Sequence, residues 1–361
     1  MEKERNYGIE LLRIVSMLMI VMIHIVNRGG MAENAEGFNK YVLFAINAII
    51  ACAVNCYAMI SGYVGLYTGF KLSRLLKLWV QVFVYSLGIA LIFYFVKPNG
   101  LEIGMTELIK ACLPMTVEQY WYFTAYFGMF FLTPVLNRII YNTEQRVLKL
   151  SMAAIFAIYS IYATVSLHDI FKLNVGCSVW WLSFMYVVGG YIRKYKIDEK
   201  IRKFGGGLYI LSVGTIFISM TAIELVNRIL PIELNERLFS YNTTPLVVLE
   251  AIGLLVFFSQ KKLRKNTLIR FFAPVSFGVY LIHTHPLIYS YILKNVFVGY
   301  ISYNALTMLL LSMATMLAIY VLCSLVDFVR IKIFARLRVG KLCDKAGAYI
   351  EKSANKFIDK F

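Results

Sequence analysis

Residues 8–26 read GIELLRIVSMLMIVMIHIV, an apolar run almost long enough to cross a bilayer, interrupted by Glu10, Arg13 and His24. Arg13 and His24 are eleven positions apart. At about 100° per residue they come round about 20° beyond three full turns, on one face and about 16 Å apart along the axis. Glu10 precedes Arg13 by three positions and is placed to pair with it on that face. Charge in hydrocarbon is costly, so such a face turns to a protein interior or a wet cavity. Two readings are open. Glu10 and Arg13 form an interfacial pair, with Arg13 snorkelling and His24 hydrogen-bonded near the far interface; or the face lines a reaction channel.

The rest of the 361-residue chain is of the same kind. It is 60% hydrophobic and 16% charged, with mean hydropathy +0.68, which excludes an ordinary soluble domain. Ten apolar spans are expected, at about 8–26, 42–66, 75–96, 120–140, 148–167, 176–192, 207–226, 243–259, 271–293 and 303–329. The runs are too continuous for alternating barrel strands, so the expected fold is an all-α membrane helix bundle. With the N-terminus cytoplasmic, 28 of the 37 basic residues fall on the cytoplasmic side and eight outside, Arg13 being within a span. That places the C-terminus in the cytoplasm too. It also accounts for the +17 net charge through anionic lipid or an anionic ligand, without nucleic acid. Residues 5–330 read as one membrane domain, and 331–361 as a basic amphipathic tail along the inner leaflet. The six cysteines show no metal-ligand spacing, and no metal site is expected.

Other polar positions carry paired readings. Ser61 and Gly62 allow close helix approach. Lys71, Arg74 and Lys77 lie along one side of the third span, as an interfacial anchor or a phosphate cradle. Trp121, Tyr122 and Tyr126 form an aromatic belt or a sugar-stacking surface. Pro134 should kink its span. Glu250, deep in the eighth span, is either structurally hydrogen-bonded or part of a polar channel. Ser276, Tyr280 and His283 share a face of the ninth span.

In order along the chain, these pieces resemble acyltransferase family 3, integral membrane enzymes that modify cell-surface glycans. The resemblance rests on Arg13 and His24 with Glu10 before them, Ser61-Gly62-Tyr63, and the basic trio Lys71, Arg74 and Lys77. It continues through Trp121, Tyr122, Tyr126 and Pro134 to Ser276, Tyr280, Leu281 and His283. Where members often carry further arginines and then proline, this chain has lysines and Trp79. The resemblance implies transfer of an acyl group, most often acetyl, from cytoplasmic acyl-CoA as co-substrate to a hydroxyl of a polysaccharide or lipid-linked glycan. The location implied is a multi-pass plasma-membrane one, with no permanently bound cofactor. On chemical grounds His24 is the candidate general base. Arg13, held by Glu10, would orient the donor, and Arg74 with Lys71 and Lys77 would meet its phosphates. Ser61, Trp121, Tyr126, Glu250, Ser276, Tyr280 and His283 would line the channel or acceptor site. The rivals are a transporter or flippase for lipid-linked saccharides, and a non-catalytic interaction subunit. The acceptor's identity and the oligomeric state, a homo-oligomer included, stay open.

Overall fold

The computed structural model describes residues 6–358 apart from 167 and 232. Lys3 and Arg5 of the charge count, and residues 359–361 of the tail, lie outside the described residues. Helices are the dominant element and no strand occurs among the described residues. In lipid every backbone N–H and C=O must be satisfied within its own segment, so long apolar runs have no other open form.

The first helix, α1 (Tyr7–Ile23), starts at Asn6, whose side chain accepts from the Gly8 and Ile9 amides. It continues as a π-helical turn through His24–Arg28. It is followed by α2 (Gly37–Ile50), α3 (Ala53–Gly65), α4 (Leu72–Val96), α5 (Trp121–Asn142) and α6 (Gln145–Phe156). The bundle is completed by α7 (Val179–Lys194), α8 (Gly205–Ile229), α9 (Pro245–Ser259), α10 (Thr267–His283), α11 (Ala305–Arg336) and α12 (Val339–Ile358). Helix α1 packs against α3, α9, α10 and α11, which makes it the axis of the bundle.

Among the described residues, eight helical segments are long and apolar enough to cross a membrane, and nine if one bent pair counts as a span. Two of the ten expected spans differ for separate reasons. Helix α7 has 16 residues, about 24 Å, short of a hydrocarbon core about 30 Å thick. The run at 271–293 is not one helix: α10 ends at His283 and the chain turns by 60° into Pro286–Ser302. Pro286 lacks an N–H and drives His285 into extended backbone (φ −56°, ψ 131°). By contrast Pro134 lies inside the continuous helix α5. The Phe130 carbonyl, which loses its helical donor there, accepts instead from Thr133 Oγ1 at 2.6 Å.

Helices α3 and α7 meet through glycine. A Cβ on Gly62 would lie 1.9 Å from the Tyr186 carbonyl oxygen, and one on Gly189 would lie 2.1 Å from that of Met59. Such contact is the membrane form of small-residue packing. Gly62→Val therefore forces the two backbones apart, beyond the roughly 1–3 kcal/mol typical of overpacking. The expected outcome is loss of the monodisperse peak in detergent size-exclusion chromatography; a normal peak with an unchanged melting temperature contradicts this packing.

Helix α11 runs past the expected boundary at 330 to Arg336, and a turn at Leu337 and Arg338 separates it from α12. Within it, buried Asp327 accepts from Tyr85 (2.8 Å), Gln81 (3.2 Å) and both arms of Arg330 (2.7 and 2.9 Å). That satisfies a carboxylate whose burial would otherwise be prohibitive. Helix α12 packs along the start of α4. Glu351 accepts from the Leu72 amide at the α4 N-terminus (2.7 Å), and Asp344 pairs with Lys77 (2.7 Å). The tail is thus seated on the protein itself through acidic side chains, which the basic character of the segment did not suggest.

Candidate functional site

Two cavities flank α1, one toward each end. The first, of about 720 Å³, opens beside Arg13 and is walled by Ser61, Tyr126, Arg74, Lys77 and Arg330, with Val339 and Gly340 at the start of the tail. The second, of about 430 Å³, opens beside His24 and is walled by Asn27, Arg28, Trp121, Tyr122, Tyr280 and Arg237. Arg13 and His24 do leave α1 toward cavities, but each has its own. Between them stand aromatic side chains. The Tyr57 hydroxyl donates to the Arg13 carbonyl (2.9 Å) and its ring meets Tyr122 edge-on at 6.2 Å. Tyr122, on the His24 side, in turn stacks on Tyr126, on the Arg13 side. The spacing along α1 is as the sequence implied; the division comes from α3 and α5, which helical periodicity in α1 cannot report.

At the His24 cavity, hydrogen bonds fix the ring chemistry. His283 Nδ1 lies 2.6 Å from the Val279 carbonyl, which can only accept. His283 Nδ1 therefore carries the proton, and its Nε2 is an acceptor. His24 Nδ1 lies 2.9 Å from that Nε2 and must be the donor. In the neutral ring this leaves His24 Nε2 bare, an acceptor beside the cavity. His283 stands behind His24 and does not wall the cavity. The relay joins residues 259 positions apart and ties α10 to the end of α1.

At the Arg13 cavity, Arg13 Nη1 donates to Glu10 at 2.8 Å, as the three-residue spacing implied. Arg74 Nη1 donates to the Gly69 carbonyl at 3.1 Å. Lys77 is held by Asp344, and the lysine in turn keeps the Asp344 carboxyl below its usual range. Lys71 is exposed and lies outside the wall of this cavity. The cavity wall carries Arg13, Arg74, Lys77 and Arg330, of which Arg13, Lys77 and Arg330 are matched by Glu10, Asp344 and Asp327. An anion entering there would meet the Arg74 guanidinium directly and the others in competition with their carboxylates.

The remaining expected residues divide. Ser61 and Tyr126 wall the Arg13 cavity, and Trp121 and Tyr280 the His24 cavity. Glu250 and Ser276 wall neither. Ser276 is buried and donates to the Phe272 carbonyl (3.0 Å). Glu250 is buried in α9, where its two carboxylate oxygens have no hydrogen-bond partner among the described residues. Asn27, Tyr57, Arg237 and Arg330 were not singled out from the sequence. Gly29-Gly30, which follows the π turn, is a local sequence sign of irregular backbone there.

A family model described as "Acyltransferase domain" matches residues 6–325. No curated protein and no solved structure matches the chain.

Proposed function

The chain belongs to this acyltransferase family, and from that premise we propose that it moves an acyl group from acyl-CoA to a hydroxyl of a cell-surface or lipid-linked glycan. The acyl group is acetyl in the simplest case. The membrane is the plasma membrane, with both termini and the Arg13 cavity on the cytoplasmic side and ten crossings if α7 and the bent pair count as spans. Basic-residue asymmetry supports that orientation. The observation that carries the reading is the bare His24 Nε2, fixed as an acceptor by the relay through His283 to the Val279 carbonyl.

In the proposed reaction the CoA phosphates sit at Arg74 and Lys77, with Asp344 giving way at Lys77 as the donor enters. Arg13, braced by Glu10, holds the donor where it enters the bundle. The thioester then passes Tyr57 and Tyr122 to reach His24. The acceptor hydroxyl oxygen attacks the thioester carbonyl carbon as its proton passes to His24 Nε2. Collapse of the tetrahedral adduct breaks the C–S bond, and the same proton returns from His24 to the departing thiolate. The products are the ester and the CoA thiol, with His24 neutral again. Trp121 and Tyr280 give the sugar ring apolar faces to lie against.

Arg74→Ala is expected to raise the donor KM about tenfold while leaving kcat near wild type, since it removes binding shared by ground and transition states. Steady-state acetyl-CoA consumption checks this, and an unchanged donor KM removes Arg74 from the cradle. One observation also favours transport: two cavities at opposite ends of α1, parted by a thin aromatic wall, resemble an alternating-access arrangement. Proteoliposomes decide between the two. Acyl-CoA consumption with labelled product on surface glycans supports the enzyme; saccharide uptake without acyl-CoA consumption supports the carrier.

A further inference from the structure

Residues 339–358, which form α12, hold two acidic side chains, Asp344 and Glu351, against the lysines Lys341, Lys345, Lys352 and Lys356. The helix is therefore basic, and the start of α4 on which it lies is basic too, with Lys71 at the N-cap and then Arg74 and Lys77. Like charges gathered in this way repel. Both carboxylates of α12 are spent on that contact. Glu351 Oε1 accepts from the Leu72 amide at 2.7 Å, and Asp344 Oδ1 from Lys77 Nζ at 2.7 Å. The first of these is where a helix N-terminus favours an anion, and the Lys71 side chain supplies no capping bond there.

One face of α12 makes these contacts. Gly340, Asp344, Gly347 and Glu351 are spaced four, three and four positions apart, so at about 100° per residue they fall within about 60° of one another. The glycines let the helix lie close: a Cβ on Gly347 would stand 2.8 Å from the Ser73 amide nitrogen. Gly340 and Val339 also belong to the wall of the Arg13 cavity, together with Arg74 and Lys77. The joint to α11 is two residues long, Leu337 and Arg338, and Arg338 stands in the left-handed region (φ 55°), which a residue with a side chain adopts at a cost. The Asp344–Lys77 pair is open to solvent, its side chains 55% and 42% exposed. Exposed pairs of this kind are weak and salt-sensitive. The contact is thus specific in its charges and easily displaced.

We propose that α12 is an autoinhibitory strap: docked on α4, its Asp344 and Glu351 occupy, at the edge of the Arg13 cavity, cationic and amide groups that would otherwise receive the donor's phosphates, and the donor binds as α12 lifts about Leu337 and Arg338. The proposal rests on the acyl-CoA reading of that cavity. A carboxylate on a lysine and a carboxylate on a helix N-terminal amide are the contacts a phosphate makes. Lys77 cannot be neutralised by Asp344 and also offer its full charge to an incoming anion, so strap and donor oppose each other. The apparent donor affinity is then reduced by the fraction of molecules whose strap is lifted. The His24 cavity has no part in this exchange, so the chemical step is untouched. A tail that only propped α4 would change stability and leave donor affinity alone.

The test uses the full-length protein in nanodiscs, with CoA as the binding probe and acetyl-CoA for turnover. Asp344→Asn combined with Glu351→Gln keeps the shape of both side chains and removes their charge. Gly347→Val keeps the charges and pushes α12 off Ser73 by bulk. Both are expected to tighten CoA binding in calorimetry, and to lower the donor KM, about tenfold, with kcat within about twofold of wild type. In the wild type, saturating CoA is expected to speed amide hydrogen exchange across 339–351 at least about tenfold. CoA affinity that is unchanged or weaker in either variant overturns the proposal. So does exchange across 339–351 that slows when CoA binds, which would make α12 a lid over the bound donor. Both of those results leave the donor assignment standing. Absence of CoA binding in the wild type and in both variants overturns the donor assignment, and the strap with it. Should a variant fail to fold, the wild-type exchange measurement decides alone.

Discussion

His24→Ala is expected to lower acyl transfer about 10²–10⁴-fold, the usual contribution of a positioned general base, with the folded protein and its CoA affinity intact. A sugar hydroxyl is a weak nucleophile and must shed its proton as it attacks. At the His24 cavity the bare Nε2 is the imidazole acceptor the relay leaves for that proton, whereas Arg28 and Arg237 are donors only. The fold should tolerate the change because the ring is half-buried beside a cavity, while the apolar residues around it, Ile25 and Val26, are core. CoA should still bind because its proposed contacts lie at the other cavity, beside Arg74 and Lys77. Single-turnover transfer from labelled acetyl-CoA, with calorimetric CoA titration of the same preparation, measures both. Transfer within threefold of wild type removes His24 from the chemistry, and a parallel fall in CoA affinity means the variant is damaged elsewhere.

The second large effect is expected at His283, which touches neither proposed substrate. His283→Phe keeps a ring of similar size in α10 but deletes the Nε2 that accepts from His24 Nδ1. The His24 ring is then free to turn, or to carry its proton on Nε2, where it cannot act as a base. A base that loses the group fixing its tautomer has dropped about 10⁴-fold in a serine protease. Here the lost partner is neutral, and a fall of about 10²-fold in kcat is expected, with the donor KM unchanged. His283→Gln offers an amide oxygen to the same N–H and should recover part of the rate, a result that a packing defect would not give. Equal rates in the Phe and Gln variants, or a fall in donor affinity instead of kcat, would show that the His24 tautomer is not set by His283.

Much of the architecture was legible beforehand because hydropathy acts locally. Any long apolar stretch in this chain has to become a helix, and the positions of Arg13 and His24 on one face follow from helical pitch alone. The two spans that departed did so where length and backbone chemistry override hydropathy: α7 is too short, and Pro286 breaks the run after His283. The site was legible in part. Arg13, His24, Arg74, Trp121 and Tyr280 all reach a cavity wall, while Lys71, Glu250 and Ser276 do not. Polarity in an apolar span marks a residue as unusual without saying what it faces. Lys71 reads with its neighbours because a charge run has no visible boundary in one dimension, and nothing along the sequence sets Asn27 apart from an ordinary asparagine after a span.

The order of residues by itself determined a helical membrane protein, the polar face of its first helix, and its kinship with acyltransferases. Tertiary structure alone decided that this face serves two cavities divided by tyrosines, that the tail's carboxylates sit on α4, and that His24 ends with one ring nitrogen unmatched. Hydropathy and pitch depend on near neighbours along the chain, whereas the partner that fixes His24 lies 259 positions away and meets it only when α10 closes against α1.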